Sequence, residues 1–258
     1  VVQASVEHLL GETPSMAASI ARGWSASLAL SDRNWALGAT ESFEQSMLRS
    51  EQLLFPDAKR LAGFLDRDRT GIVLETSHMG DYLLALFGLL VHMKPRTILV
   101  LRRKEESQEE VDAFAKAAHL GMQVEIVRYG PTAGRRIVRG LRRGGIAVLL
   151  HDLSGRWGKT LPLEMFGRPI HTVAGPATMA LLGRARIVPL TVFQRSGRTE
   201  CEIDEVIDWR DREASAANVS RIAQRLVDIT GRSIRAHPEQ WLHWHYLPEM
   251  LAASADDD

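Results

Sequence analysis

A chain of 258 residues can form one large or two small domains, and its 45% hydrophobic and 25% charged content is ordinary for a soluble globular protein. The 32 Lys and Arg balance the 32 Asp and Glu, which argues against a general nucleic-acid binder, and the single cysteine, Cys201, excludes an internal disulfide framework and a cysteine-based zinc site. No apolar run reaches the ~18 residues of a membrane span and the first residues show no signal-peptide pattern. A cytoplasmic protein is expected, with peripheral contact at the inner membrane left open.

Residues 1–65 read as a helical N-terminal cap. Pro14 to Trp24 carries small and apolar residues at helical spacing, and Phe43, Met47 and Leu54 fall near one face of a second helix. From residue 66 to 250 strands and helices alternate. Gly71 to Glu75 reads as a buried strand leading to an apolar helix over 81–93. Thr97–Leu101 is the next strand, followed by a helix over 107–120 with Ser107 as cap and Glu110 three positions on. Met122–Val127 leads through Gly130-Pro131 to a basic helix over 133–143, which Gly144-Gly145 ends before the strand Ile146–His151. A long loop is expected over 152–171, then a helix over 173–183 and the strand Ile187–Phe193. Ser196-Gly197 makes a hairpin turn into Thr199–Asp204, and a helix over 214–235 precedes the aromatic-rich ending 238–246. Repeated βα units of this length predict an α/β fold with a mainly parallel sheet flanked by helices. The acidic tail, 251–258, is expected to be disordered.

Three clusters carry candidate chemistry. His78 stands where a strand ends and a helix begins, the edge of an open α/β sheet at which ligands bind. Asp81, one turn on, either orients the His78 ring or caps the helix, and Gly80 between them lets a substrate approach the backbone closely. His151-Asp152 ends a neighbouring strand and either faces the same crevice or simply starts a loop. Arg102 directly follows a strand and suits a phosphate or a phosphopantetheine arm, whereas Arg139 to Arg143 read as a solvated helix face. Two other patterns fail. Gly155 to Thr160 lacks the first glycine of a phosphate-binding loop, and Pro162 follows where a helix should open. His237, His243 and His245 lack neighbouring ligands at useful spacing, so no metal is expected.

Several segments together resemble the lysophospholipid acyltransferase superfamily, most closely its bacterial lipid A lauroyl/myristoyl acyltransferase branch. They are His78-Met-Gly-Asp-Tyr-Leu83, Arg102 after the next strand, Arg136 to Gly144, Asp152, Met165-Phe-Gly-Arg-Pro169, Gly175-Pro-Ala177, Ile187-Val-Pro189 and Pro238-Glu-Gln-Trp-Leu-His-Trp-His245. The order is right from about residue 70 to 246. The resemblance implies a glycerol-3-phosphate acyltransferase-like fold and acyl transfer from an acyl carrier protein or coenzyme A thioester to a hydroxyl or amine. No bound cofactor or metal is implied. It also implies catalytic roles for His78 and Asp81 and substrate contacts by Gly80, Arg102, Asp152, Phe166 and Arg168. The chain departs from the family where the acid five residues after the histidine should stand: that position is Leu83. Asp81 or Asp152 takes over the acid's role, or the site no longer catalyses. A small-molecule or carrier-tethered acceptor is expected ahead of a lipid, with a thioesterase-like hydrolase and a non-catalytic acyl- or carrier-binding protein as alternatives.

Overall fold

In the computed structural model, residues 1–102 and 108–252 are described, with backbone alone for 108–110 and 113. The central sheet comprises β1 (Ile72–Thr76), β2 (Thr97–Arg102), β3 (Gln123–Arg128), β4 (Ile146–Leu150), β7 (Arg186–Arg195) and β8 (Arg198–Ile203). Their order is β3-β2-β4-β1-β7-β8, with β8 alone antiparallel. Every residue of β1 is buried, because helices cover both faces of a parallel sheet and leave no strand face for water. Alternation along β1 sends Ile72 and Leu74 to one face and Val73 to the other. On the first face lie α4 (Ala58–Leu65), α5 (Tyr82–Leu90) and α6 (Gln108–His119); on the second lie α7 (Ala133–Arg142), α8 (Gly175–Gly183) and α9 (Ala216–Ala236).

The N-terminal region is helical, as expected: α1 (Val2–Leu10), α2 (Pro14–Thr40) and α3 (Phe43–Glu51). Thr13 caps α2 ahead of Pro14, and Ser42 with Gln45 closes a reciprocal capping box on α3. At 27 residues, α2 is ~40 Å long. It reaches from the C-terminal segment, where Trp24 Nε1 donates to the Leu242 carbonyl at 3.2 Å, to α6, where Lys116 Nζ donates to the Gly38 carbonyl. No helix among the described residues is long and apolar enough to cross a membrane.

Residues 152–171 are not the plain loop expected. They contain a hairpin of β5 (Thr160–Met165) and β6 (Arg168–Val173), turning through Phe166 and Gly167 at φ of 55° and 74°. Pro162 and Pro169 hid the strands. Proline is tolerated here because each strand of a two-stranded sheet has a free edge. The predicted Ser196-Gly197 turn does join β7 to β8, and the aromatic ending folds as short 3₁₀ turns before α10 (Leu247–Leu251). The Ser107 cap, Arg103 and Lys104, which extend in sequence the basic run begun by Arg102, and the acidic tail from residue 253 lie outside the described residues.

Candidate active site

Parallel pairing of β1 with β4 sets Thr76 opposite Leu150. Two residues further along each chain stand His78 and Asp152, so the register of two neighbouring strands brings them together at the sheet's carboxyl edge. His78 Nδ1 lies 2.9 Å from Asp152 Oδ1, and the His78 amide donates to Asp152 Oδ2 at 2.8 Å. Trp241 Nε1 donates to the same oxygen at 2.9 Å. Asp152 is buried while the His78 side chain keeps 23% of its surface exposed, so the ring's far edge is the part that a substrate can reach.

His243 completes the cluster. Its ring stacks on His78 with centroids 3.7 Å apart and planes 21° apart, and its Nδ1 sits 2.8 Å from the Asp152 carbonyl. Burial, reinforced by the neighbouring His78, pulls the His243 ring down to about 4, so it is neutral at pH 7. Burial alone would raise Asp152, but the imidazoles of His78, His243 and His151 together with its hydrogen bonds hold it far below the usual carboxylate range. Behind this cluster His151 Nδ1 is hydrogen-bonded to Glu75 Oε1, both fully enclosed. Burial opposes a charge on His151, yet the Glu75 carboxylate outweighs it and raises the ring. The C-terminal segment fixes the loop from outside: the Leu242 amide donates to the His78 carbonyl at 2.9 Å, and Met79 bridges Trp241.

Nitrogens of His78 and His243 and an oxygen of Asp152 lie within 4.8 Å of one another, a spacing that can hold a cation. The hydrogen bonds fit a proton-handling site better. Asp152 uses Oδ1 on the His78 ring and Oδ2 on two N–H groups, and His243 Nδ1 is engaged by the Asp152 carbonyl.

The carboxylate on the His78 ring is therefore Asp152, not Asp81. Asp81 instead caps α5, accepting from the Leu84 amide at 3.1 Å, and pairs with Arg49 of α3 at 2.7 Å. Arg49 also pairs with Glu41 at 2.7 Å, so Asp81 ties the N-terminal helices to the sheet. Gly80 has φ of +59°, and a Cβ there would stand 2.6 Å from the Val192 carbonyl oxygen. The close approach that this glycine allows in the structure is by strand β7. Arg102 ends β2 near Tyr82, whose ring meets His78 edge-on at 6.2 Å; burial pushes the Tyr82 phenol up to about 12 against the pull of Arg102. Phe166 and Arg168 sit on the β5–β6 hairpin. Phe166 lies under the Arg235 guanidinium at 4.6 Å, and neither residue contacts the His78 cluster among the described residues. Trp241 and His243 were not singled out as catalytic from sequence. Their signal was the ending Pro238 to His245, which the resemblance already contained.

Beside the site, beneath α5, lies an apolar cavity of about 80 Å³ lined by Leu83, Leu86, Phe87, Leu90, Phe114 and Val148, with Arg49 and Lys116 at its polar rim. Leu83, which stands where the acid would be, faces this cavity. The model of one protein family, described as bacterial lipid A biosynthesis acyltransferase, matches residues 57–247. No protein of curated function is similar enough to the chain to match it.

Proposed function

Because the chain belongs to the bacterial lipid A biosynthesis acyltransferase family, we propose that it moves an acyl group from a thioester to a hydroxyl or amine, with His78 as general base. One observation carries this reading: a partly exposed histidine whose Nδ1 is held by a buried aspartate at the carboxyl edge of a parallel sheet. Nδ1–H donates to Asp152, which leaves the Nε2 lone pair to take the acceptor's proton. The acceptor oxygen or nitrogen then bonds to the acyl carbon as the C–S bond breaks, and the leaving thiolate takes the proton back from the imidazolium. The ionised Asp152 stabilises that imidazolium, and neutral His243 adds no opposing charge.

The apolar cavity under α5 offers an apolar lining to the acyl group, and at about 80 Å³ it holds only a short part of a chain, with the N-terminal helices closing it as a cap. Arg102, beside Tyr82, meets the anionic part of donor or acceptor. Product analysis with an acyl thioester, with and without hydroxyl and amine acceptors, tests the reading. Acyl transfer lost in His78→Ala with the fold intact supports it. Acyl release to water at the same rate whether or not acceptors are present would instead mark a hydrolase, and undiminished function in His78→Ala would mark a binding protein.

A further inference from the structure

Strand β1 runs between β4 and β7 and is covered on both faces, yet its fourth residue is a glutamate. Glu75 stands between Leu149 of β4 and Pro189 of β7 with 2% of its surface exposed. Its hydrogen-bond partner among the described residues is His151, one residue past β4 and buried to the same degree. His151 Nε2 has no partner among the described residues, so the bond from Nδ1 to Glu75 alone orients the ring. A buried pair of this kind is a poor source of stability. Desolvation offsets most of its attraction, and apolar side chains of similar volume hold a core as well or better. The acyl-transfer steps above make no use of it either. Its place in the chain supplies a use, because His151 is followed directly by Asp152.

Asp152 is enclosed, and burial opposes its charge unless a cation stands near. Three imidazoles act on it: His78 from the β1–α5 junction, His243 from the C-terminal segment and His151 from its own segment, while Trp241 adds a neutral donor. His243 is neutral at pH 7, and His78 has to be neutral when it accepts a proton. That leaves His151. Burial works against its charge, but the Glu75 carboxylate outweighs burial and Asp152 adds to the pull. Burial raises Glu75 as well, yet His151 starts the higher of the two and is raised too, so the proton that they share belongs to the ring. We propose that Glu75 and His151 are positioning residues for acyl transfer: as a buried carboxylate–imidazolium pair they keep Asp152 ionised, with Oδ1 on the His78 ring, before the acceptor's proton arrives. The inference rests on the acyl-transfer reading above and extends the site to a row of four side chains, Glu75, His151, Asp152 and His78. No proton moves along that row. Asp152 stays a carboxylate throughout, and His78 alone exchanges a proton with the acceptor and the leaving thiolate.

Two variants of the full chain test this. Glu75→Gln keeps the shape and removes the charge, and Glu75→Leu/His151→Leu replaces the pair by apolar side chains. The double variant should melt close to wild type or above it, with unchanged circular dichroism. Turnover is followed with S-hexanoyl-N-acetylcysteamine as donor and ethanolamine, which offers both a hydroxyl and an amine, as acceptor. In both variants kcat should fall about tenfold or more with little change in KM, because the base is no longer held in place. The low-pH limb of kcat should also move to higher pH, since loss of a nearby cation makes the Asp152–His78 couple hold its proton more tightly. Nitrogen-15 NMR of the histidines gives a readout free of turnover. Near pH 8 the wild type should show a ring protonated on both nitrogens, absent from the double variant and neutral in Glu75→Gln. A wild-type spectrum without that ring overturns the proposal. So does a folded double variant with unchanged kcat and pH profile, and so does a fall in kcat without movement of the pH limb, which marks a packing role only. Should the double variant not fold, unchanged kcat and pH limb in Glu75→Gln overturn it equally. The charged ring present in a wild type that turns over no thioester leaves the charge arrangement standing and removes the acyl-transfer reading instead.

Discussion

Asp152 accepts from the His78 amide, the His78 ring and the Trp241 indole, three donors for one carboxylate. An amide in its place would offer one oxygen and turn an NH2 group toward at least one of those donors. Asp152→Asn is therefore expected to lower kcat by ~10²–10⁴-fold while leaving the chain folded, as loss of an orienting aspartate does elsewhere. Asp81→Asn separates the two aspartates. It keeps an oxygen for the Leu84 amide but removes a charge from Arg49, so the expected loss is about 1–3 kcal/mol of stability with a much smaller loss of kcat. Steady-state kinetics and thermal denaturation of both variants check this; a larger kcat loss in Asp81→Asn than in Asp152→Asn would reverse the assignment. The sequence favours Asp81 as the catalytic partner of His78 and gives Asp152 a substrate contact, with the orienting role only as its alternative. Spacing along one helix turn suggested Asp81, but capping and the Arg49 pair take its carboxylate first.

The junction between β1 and α5 is shaped by its neighbours on both sides. Gly80 lets β7 pass within contact distance at a positive φ, so Gly80→Ala both strains the backbone and meets the Val192 carbonyl. That variant is expected to lose ~1–3 kcal/mol and, by displacing His78 two residues away, kcat as well. Denaturant unfolding measured beside activity distinguishes this from a purely local effect. Helix α5 was read from sequence as a covered apolar helix and is one, yet its apolar character also builds the cavity. Filling that cavity with Phe87→Trp is expected to shift donor preference toward shorter acyl chains, with KM rising more than kcat falls for long ones. A competition assay across a series of thioester chain lengths reads the shift directly. The β5–β6 hairpin shows why an element can go unseen: two prolines broke the alternation that would otherwise have marked it.

At the scale of the whole molecule, segments far apart in the chain enclose the site, and its titration is coupled to folding. His243 falls from an ordinary 6.5 to about 4 in the folded state, so between those values the unfolded chain binds a proton that the native chain does not. Stability from this group is thus present above pH 6.5 and is lost as pH falls toward 4, by ~3 kcal/mol in all. Thermal melts across that window should show the decline, and His243→Gln should flatten it; an equal slope in the variant would refute the coupling. The sequence by itself determined the alternating βα pattern, the burial of β1 and the placing of His78 at a strand end, because local periodicity and turn chemistry decide these. Only the tertiary structure decided which carboxylate meets the ring, what Gly80 makes room for and which histidine stacks on His78. Those depend on strand order and on a C-terminal segment more than 160 residues along the chain from His78, folding back over the sheet edge. Contacts of that range follow from which apolar faces cover one another, and no local spacing encodes them.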